Sequence, residues 1–264
     1  MTTRRAVLRG IGSGIAVTTV AGSGIAAAEP GEEAGLRVAH ASPDAPAVDV
    51  LVDGSAVIEG LAFRDVTDYL EVPTGAYDVA VNVAGTDTTV FEAEDLELAA
   101  EDYTAVARGE VTADADTSFT VSLFEDTNGA NISDDEARVR AIHLSPDAPV
   151  VDVTVNDGSL TLFEDVSYGE SSGYAVVPAA EYEVEIRPAG GGDPVFEADV
   201  ALEGRSTYTA FAVGYLSPDD EPADEPFGLV PTQDKGAPPR GGPGRGGPDR
   251  GSPGGSPPRG GPSR

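Results

Sequence analysis

The sequence predicts an all-β protein built from two tandem antiparallel β-sandwich domains. Three observations lead there. One phrase occurs twice: residues 40–50 read HASPDAPAVDV and residues 143–153 read HLSPDAPVVDV, nine identities at an interval of 103 residues. A repeat at fixed spacing sets the architecture before any local feature does. Between these phrases, apolar and polar residues alternate with period two, the pattern of a strand with one face on a core. Finally, clusters of Gly, Pro, Asp and Asn punctuate the alternating runs, and no stretch of the body shows a long helical period.

The duplication runs well past the phrase. Tyr69-Leu70-Glu71-Val72-Pro73 returns as Tyr174-Ala175-Val176-Val177-Pro178, Tyr77-Asp78-Val79 as Tyr182-Glu183-Val184, and Val90-Phe91-Glu92-Ala93 as Val195-Phe196-Glu197-Ala198. Tyr103-Thr104-Ala105 returns as Tyr208-Thr209-Ala210, now at an interval of 105, so copy two gains two residues in a loop after Asp152. Phe119 answers Phe227 more weakly. Each copy is of ordinary size for one small domain and must bury its own core. The strands expected in copy one cover residues 36–41, 48–53, 68–72, 77–83, 89–93, 103–109 and 119–124, with counterparts in copy two. About seven short strands per copy fit an immunoglobulin-like or a transthyretin-like sandwich. Tyr77, Tyr103 and Tyr208 open strands at core parity, as tyrosines that anchor sandwich corners do.

The divisions that follow are a signal at 1–28, an acidic linker at 29–35, a first sandwich at 36–126, a linker at 127–136, a second sandwich at 137–231 and a tail at 232–264. Thr3-Arg4-Arg5-Ala6-Val7-Leu8-Arg9 resembles the twin-arginine export motif. Arg4 and Arg5 carry it, an uncharged stretch follows, and Ala26-Ala27-Ala28 offers a small-residue cleavage point after Ala28. The alternative is a retained membrane helix, which the four glycines and four Ser or Thr between Gly10 and Ala28 disfavour. With no cysteine, neither a lipid-modified anchor nor a disulfide framework is available. The tail is Gly, Pro, Arg and Ser, without apolar anchors, and reads as disordered.

Charge points to the solvent. The formal net charge is −30, with 46 acidic residues against 16 basic ones, and Lys235 is the single lysine. That balance suits molar salt, in which the Debye length falls to about 3 Å and like charges cease to repel at range. At low ionic strength the same charges push the fold apart. A strongly negative body also argues against nucleic acid as a partner.

The repeated phrase holds the only candidates for site chemistry. His40 ends its strand on the apolar face, before a Ser-Pro-Asp-Ala-Pro corner, and His143 does the same. One reading is structural: a ring nitrogen bonds a corner carbonyl while prolines stiffen the turn. The other is a divalent metal site from His40, Asp44 and Asp49, repeated as His143, Asp147 and Asp152. The chain has just two histidines, so each such site has one nitrogen ligand. Ser42, two residues from His40, is badly placed for a hydrolase triad, and no catalytic set is assigned. The run from Asp126 to Asn131 fails calcium-loop spacing because Ala130 and Asn131 stand where an oxygen ligand and glycine are needed. Asn131-Ile132-Ser133 is a glycosylation sequon in the expected linker.

The runs RVAHASPDAPAVDVLVDG, DYLEVPTGAYDV and YTAVARG, matched in copy two by VRAIHLSPDAPVVDV, GYAVVPAAEYEV and YTAFAVG, resemble the domain of unknown function 4397 family over about residues 36–230. The resemblance implies an exported or surface-associated β-rich domain and no assigned activity. Copy two departs at Ala180, where copy one has Gly75. Together these readings favour a non-enzymatic exported module of extracellular or cell-surface location, without cofactor, whose partner would be an envelope polymer or surface protein. A metal- or small-ligand-binding protein using the corners, and a secreted hydrolase, are the alternatives.

Overall fold

The computed structural model describes residues 31–234, apart from 114 and 129. Arg4, Arg5, the cleavage point after Ala28 and the basic tail lie outside the described residues. The described residues form sixteen strands and a single 3-10 turn at Pro218–Asp220. Copy one holds β1 (Glu33–His40), β2 (Val48–Val52), β3 (Ser55–Leu61), β4 (Leu70–Pro73), β5 (Gly75–Val83), β6 (Thr89–Leu98), β7 (Asp102–Arg108) and β8 (Thr120–Asp126). Copy two repeats them as β9 (Glu136–His143), β10 (Val151–Val155), β11 (Leu160–Val166), β12 (Ala175–Pro178), β13 (Glu181–Pro188), β14 (Phe196–Ala201), β15 (Ser206–Val213) and β16 (Gly228–Gln233).

Each copy is two four-stranded sheets, ordered β4-β1-β7-β8 and β3-β2-β5-β6 in the first, β12-β9-β15-β16 and β11-β10-β13-β14 in the second. All pairings are antiparallel except β1 with β7 and β9 with β15, which are parallel. Immunoglobulin sandwiches order one sheet as strands one, two, five and four. Here strand one lies between four and seven, so that order is excluded and the transthyretin-like alternative remains.

Eight strands per copy, rather than seven, is a correction. The strand missing from the sequence reading is β3. Its run SAVIEGL alternates poorly, carries Gly60 at φ 66°, and pairs with β2 through register shifts. It is a largely exposed edge strand with weak patterning. The two-residue gain in copy two falls where the repeat placed it. Asp53-Gly54 joins β2 to β3, whereas Asn156-Asp157-Gly158-Ser159 joins β10 to β11. The Ala180 departure goes with a different backbone: Gly75 sits at φ 159°, whereas Ala180 is not among the residues of positive φ.

Within each copy the facing sheets enclose an aliphatic core. In copy one it centres on Val38, Val48, Val50, Leu61 and Val81. In copy two Ala141, Val151, Val153, Val166 and Ile186 form one cluster, and Ala137, Val139 and Val177 another. The even residues of β1 and the odd residues of β9 supply this face.

The opposite face of β1, β7, β9 and β15 does not meet water as a two-sided alternation suggests. It is buried against the other copy. Ala39, Ala41 and Val106 pack on Ile142, Leu144, Phe211 and Val213. Beside this apolar patch lies a buried ionic network with pseudo-twofold symmetry. Arg37 donates to Thr104 of its own copy (2.7 Å) and to Thr209 of the other (2.9 Å). Arg140 reciprocates, donating to Thr209 (2.9 Å) and to Thr104 (3.4 Å). Asp126 accepts from Arg140 across the junction, and from Tyr69 and Thr104 at 2.6 Å each. Asp234 accepts from Thr209 (3.0 Å) and Tyr174 (3.3 Å). Arg37 Nη2 lies 2.7 Å from Asp234 Oδ1, an ion-pair distance without hydrogen-bond alignment, so that oxygen lacks a donor. Two arginines and two aspartates thus neutralise one another out of water, the condition under which buried charge is tolerable. Thr232 and Gln233, placed with the tail by composition, continue β16 and bring Asp234 into the junction.

Candidate functional site

The two His-x-Ser-Pro-Asp corners are built identically. β1 delivers His40 to the end of the sheet on its interior face, where the ring is 1 % exposed. The backbone N–H of Ser42 donates to His40 Nδ1 at 3.3 Å, so Nε2 carries the proton and donates to the Pro46 carbonyl at 3.1 Å. In copy two Ser145 N–H donates to His143 Nδ1 at 3.4 Å, and Nε2–H to the Pro149 carbonyl at 3.0 Å. Burial pushes both imidazoles below the ordinary histidine value, against smaller opposing contributions from their carbonyl partners. Each ring also meets an aromatic edge, Phe63 for His40 and Tyr168 for His143.

The rest of the phrase is equally engaged. Ser42 Oγ donates to the Gly109 carbonyl and Ser145 Oγ to that of Gly214, both at 2.5 Å. Asp44 accepts from the N–H groups of Val111 (2.9 Å) and Thr112 (2.8 Å). Asp147 accepts from Leu216 (2.9 Å) and Ser217 (2.8 Å). Asp49 bonds the N–H groups of Gly60 (2.7 Å) and Gly85 (2.9 Å), which hold its carboxyl below the usual range. Asp152 bonds those of Asp165 (2.9 Å) and Gly190 (3.2 Å). The geometry therefore assigns each candidate ligand a backbone partner, tying the corner to the strand ends and hairpins around it. Among the described residues no group of three or more His, Cys, Asp or Glu is disposed to hold a metal ion.

Gly109 and Gly214 complete the corners. Both adopt positive φ, 86° and 87°. A Cβ on Gly109 would lie 2.1 Å from the Ser118 carbonyl oxygen, and one on Gly214 2.4 Å from that of Pro226. Only glycine fits there. Tyr77 and Tyr182 close smaller loops, their hydroxyls donating to the carbonyls of Pro73 (2.5 Å) and Pro178 (2.8 Å). Asn131 is exposed between the copies.

The family described as "Domain of unknown function (DUF4397)" matches residues 34–154 and again 137–245. The chain belongs to the DUF4397 family. Two matches in tandem agree with the duplicated fold, and both corners just described lie within the matched residues. No curated protein matches the chain. Among solved structures, it is similar to a candidate cell adhesion protein from Bacteroides eggerthii DSM 20697, at 10% identity and a TM-score of 0.20, over 79% of this chain and 97% of that one. Among the described residues no helix is long and apolar enough to cross a membrane.

One further feature of the interior was not signalled by any motif. Between the two sheets of copy one lies an apolar cavity of about 440 Å³, whereas the equivalent space in copy two measures about 60 Å³.

Proposed function

We propose that this DUF4397 protein is an exported, non-enzymatic β-sandwich module of the cell surface, working in high salt as a fused pair of domains. The observation that carries the reading is the duplicated corner. Among the described residues, its imidazole, hydroxyl and carboxylates are the grouping whose residue types suggest catalysis or metal binding. In both copies those groups serve backbone hydrogen bonds, which makes the phrase a fastening between strand ends. The twin-arginine-like segment supports export, and the family resemblance supports a surface setting. The excess of acid supports a saline one: all seven arginines of residues 31–234 are held in hydrogen bonds or ion pairs, leaving most carboxylates without a cationic neighbour. The fused copies present two similar surfaces at fixed spacing, an arrangement that strengthens weak contacts with a repetitive partner through effective concentration. An envelope polymer or surface protein fits that role.

The test is affinity capture from envelope fractions in molar salt, with the full chain as bait and a single-copy surface variant as control. Recovery of one defined surface polymer or protein, weakened when either copy is altered, is the expected result. Capture of nothing from the envelope, or turnover by the purified chain in a hydrolase screen at the same salt, contradicts the proposal.

A further inference from the structure

We propose that copy one is a binding site for an uncharged aliphatic chain, taken up between its two sheets. The cavity there, about 440 Å³, falls within the range of ~300–1,000 Å³ common to small-molecule sites. It is well beyond the ~150 Å³ apolar void that suffices to take up benzene. Its walls are the inward faces of both sheets, among them Val50, Val79, Phe91, Ala105 and Leu123. A void lined this way gains nothing from water, and its wall atoms lack dispersion partners until hydrocarbon fills it.

The cavity opens between the edge strands β3 and β4. Val57 on β3 is 48% exposed and Leu70 on β4 is 39% exposed, so apolar side chains stand at the rim, beside the exposed Glu71. A single-chain ligand can enter there along Val57 and Leu70.

Copy two shows that the space is particular to copy one and not imposed by the fold. Ile58 stands opposite Val50 across the β2–β3 pairing, while Phe163 holds that place opposite Val153. Val81 is matched by Ile186, each facing a phenylalanine on the neighbouring strand. Tyr182 and Tyr208 also line the residual space of copy two, where their counterparts do not line that of copy one. At Phe163 and Ile186 copy two carries the larger side chain of the pair, and its two tyrosines reach a space that Tyr77 and Tyr103 do not line in copy one.

Charge selects the class of chain. Glu71 is the single charged residue among those lining the cavity, and the protein carries −30 overall. A fatty-acid carboxylate finds no counter-charge in the lining, and drawing it out of water into that lining is costly. A long-chain alcohol or an isoprenoid meets neither obstacle. The proposal does not depend on the surface role above.

The experiment is equilibrium dialysis of the full chain in molar KCl against 1-dodecanol and against dodecanoate, with thermal unfolding followed in parallel. The expected result is retention of dodecanol at one per chain with a raised melting temperature, and dodecanoate bound at least about tenfold more weakly. Ile58→Phe, which imports the copy-two residue, abolishes retention while unfolding cooperatively at a melting temperature no lower than the parent. Should that variant not fold, Ala105→Val narrows the same cavity and weakens retention. The proposal is overturned if the parent chain retains no dodecanol, if dodecanoate binds as tightly, or if a folded cavity-filling variant retains dodecanol unchanged.

Discussion

The Tyr215 hydroxyl donates to Glu110 Oε1 at 2.9 Å across the junction of the two copies. These residues occupy equivalent positions, at the interval of 105 that relates the two copies at this end. Equivalent residues meet only on an axis of symmetry. Two identical copies would have set carboxylate against carboxylate or phenol against phenol there. The fused chain places a buried donor against a buried acceptor, and Thr117 supplies a second donor to Glu110 at 2.7 Å. The junction is thus specific to the tandem arrangement.

Tyr215→Phe removes that donor and leaves a buried carboxylate with one partner fewer. We expect a loss of about 1–3 kcal/mol. Chemical unfolding in molar salt measures it. A double-mutant cycle with Glu110→Gln isolates the pair, which should show coupling well above experimental error.

The paired aspartates predict a larger effect. Asp126→Asn strips Arg140 of its counter-charge inside the junction, and Asp234→Asn leaves Arg37 only the more distant Asp126, 3.9 Å away. Each should cost about 3–5 kcal/mol, because the remaining charge is stranded out of water. Substituting the exposed Asp87, which makes no contact with the junction, is near neutral by the same assay.

Acid should unfasten the corners before it protonates most carboxylates. His40 and His143 have folded-state values below 6.5 because burial disfavours the imidazolium. The unfolded chain therefore binds more protons than the folded one just below that pH. Their contribution to stability is complete above about 6.5 and declines as pH falls from there through the folded values. Melting temperature followed from pH 8 downward at constant salt reads this. A His40→Gln, His143→Gln variant loses the decline over that window, at lower overall stability.

Gly109→Ala places a methyl group against the Ser118 carbonyl and forces an L-residue to φ 86°. A loss of about 1–3 kcal/mol is expected. Gly54→Ala is the control: it also has positive φ, but nothing lies within 4 Å of its Cβ, so it bears the backbone penalty alone.

The two-domain layout, the strands with clean alternation and the loop that gained two residues were all legible in the chain. β5 and β13 announce themselves because one face is apolar and the other polar. β3 does not, because an exposed edge strand with a glycine and a bulge has little pattern to show. The second buried face was hidden for a different reason. Arg37, Thr104, Arg140 and Thr209 are polar, and a polar residue at a strand's outward position reads as solvated. Only their mutual pairing, across 172 residues in the case of Arg37 and Thr209, permits burial. At the corners the repeated residues were visible in the sequence, but their partners are backbone groups of remote loops, such as Val111 and Leu216, which no local spacing encodes. The cavity escaped notice because it arises from differences of a methyl group or a ring at matched positions.

The central claim is that the repeated histidines serve shape rather than chemistry, and nitrogen NMR of the two imidazoles tests it most directly. At pH 7 in molar salt both should appear as neutral rings protonated at Nε2, with Nδ1 acting as acceptor, and adding zinc should leave their shifts unchanged. Rings protonated at both nitrogens, or shifts that move stoichiometrically with zinc, would contradict the account.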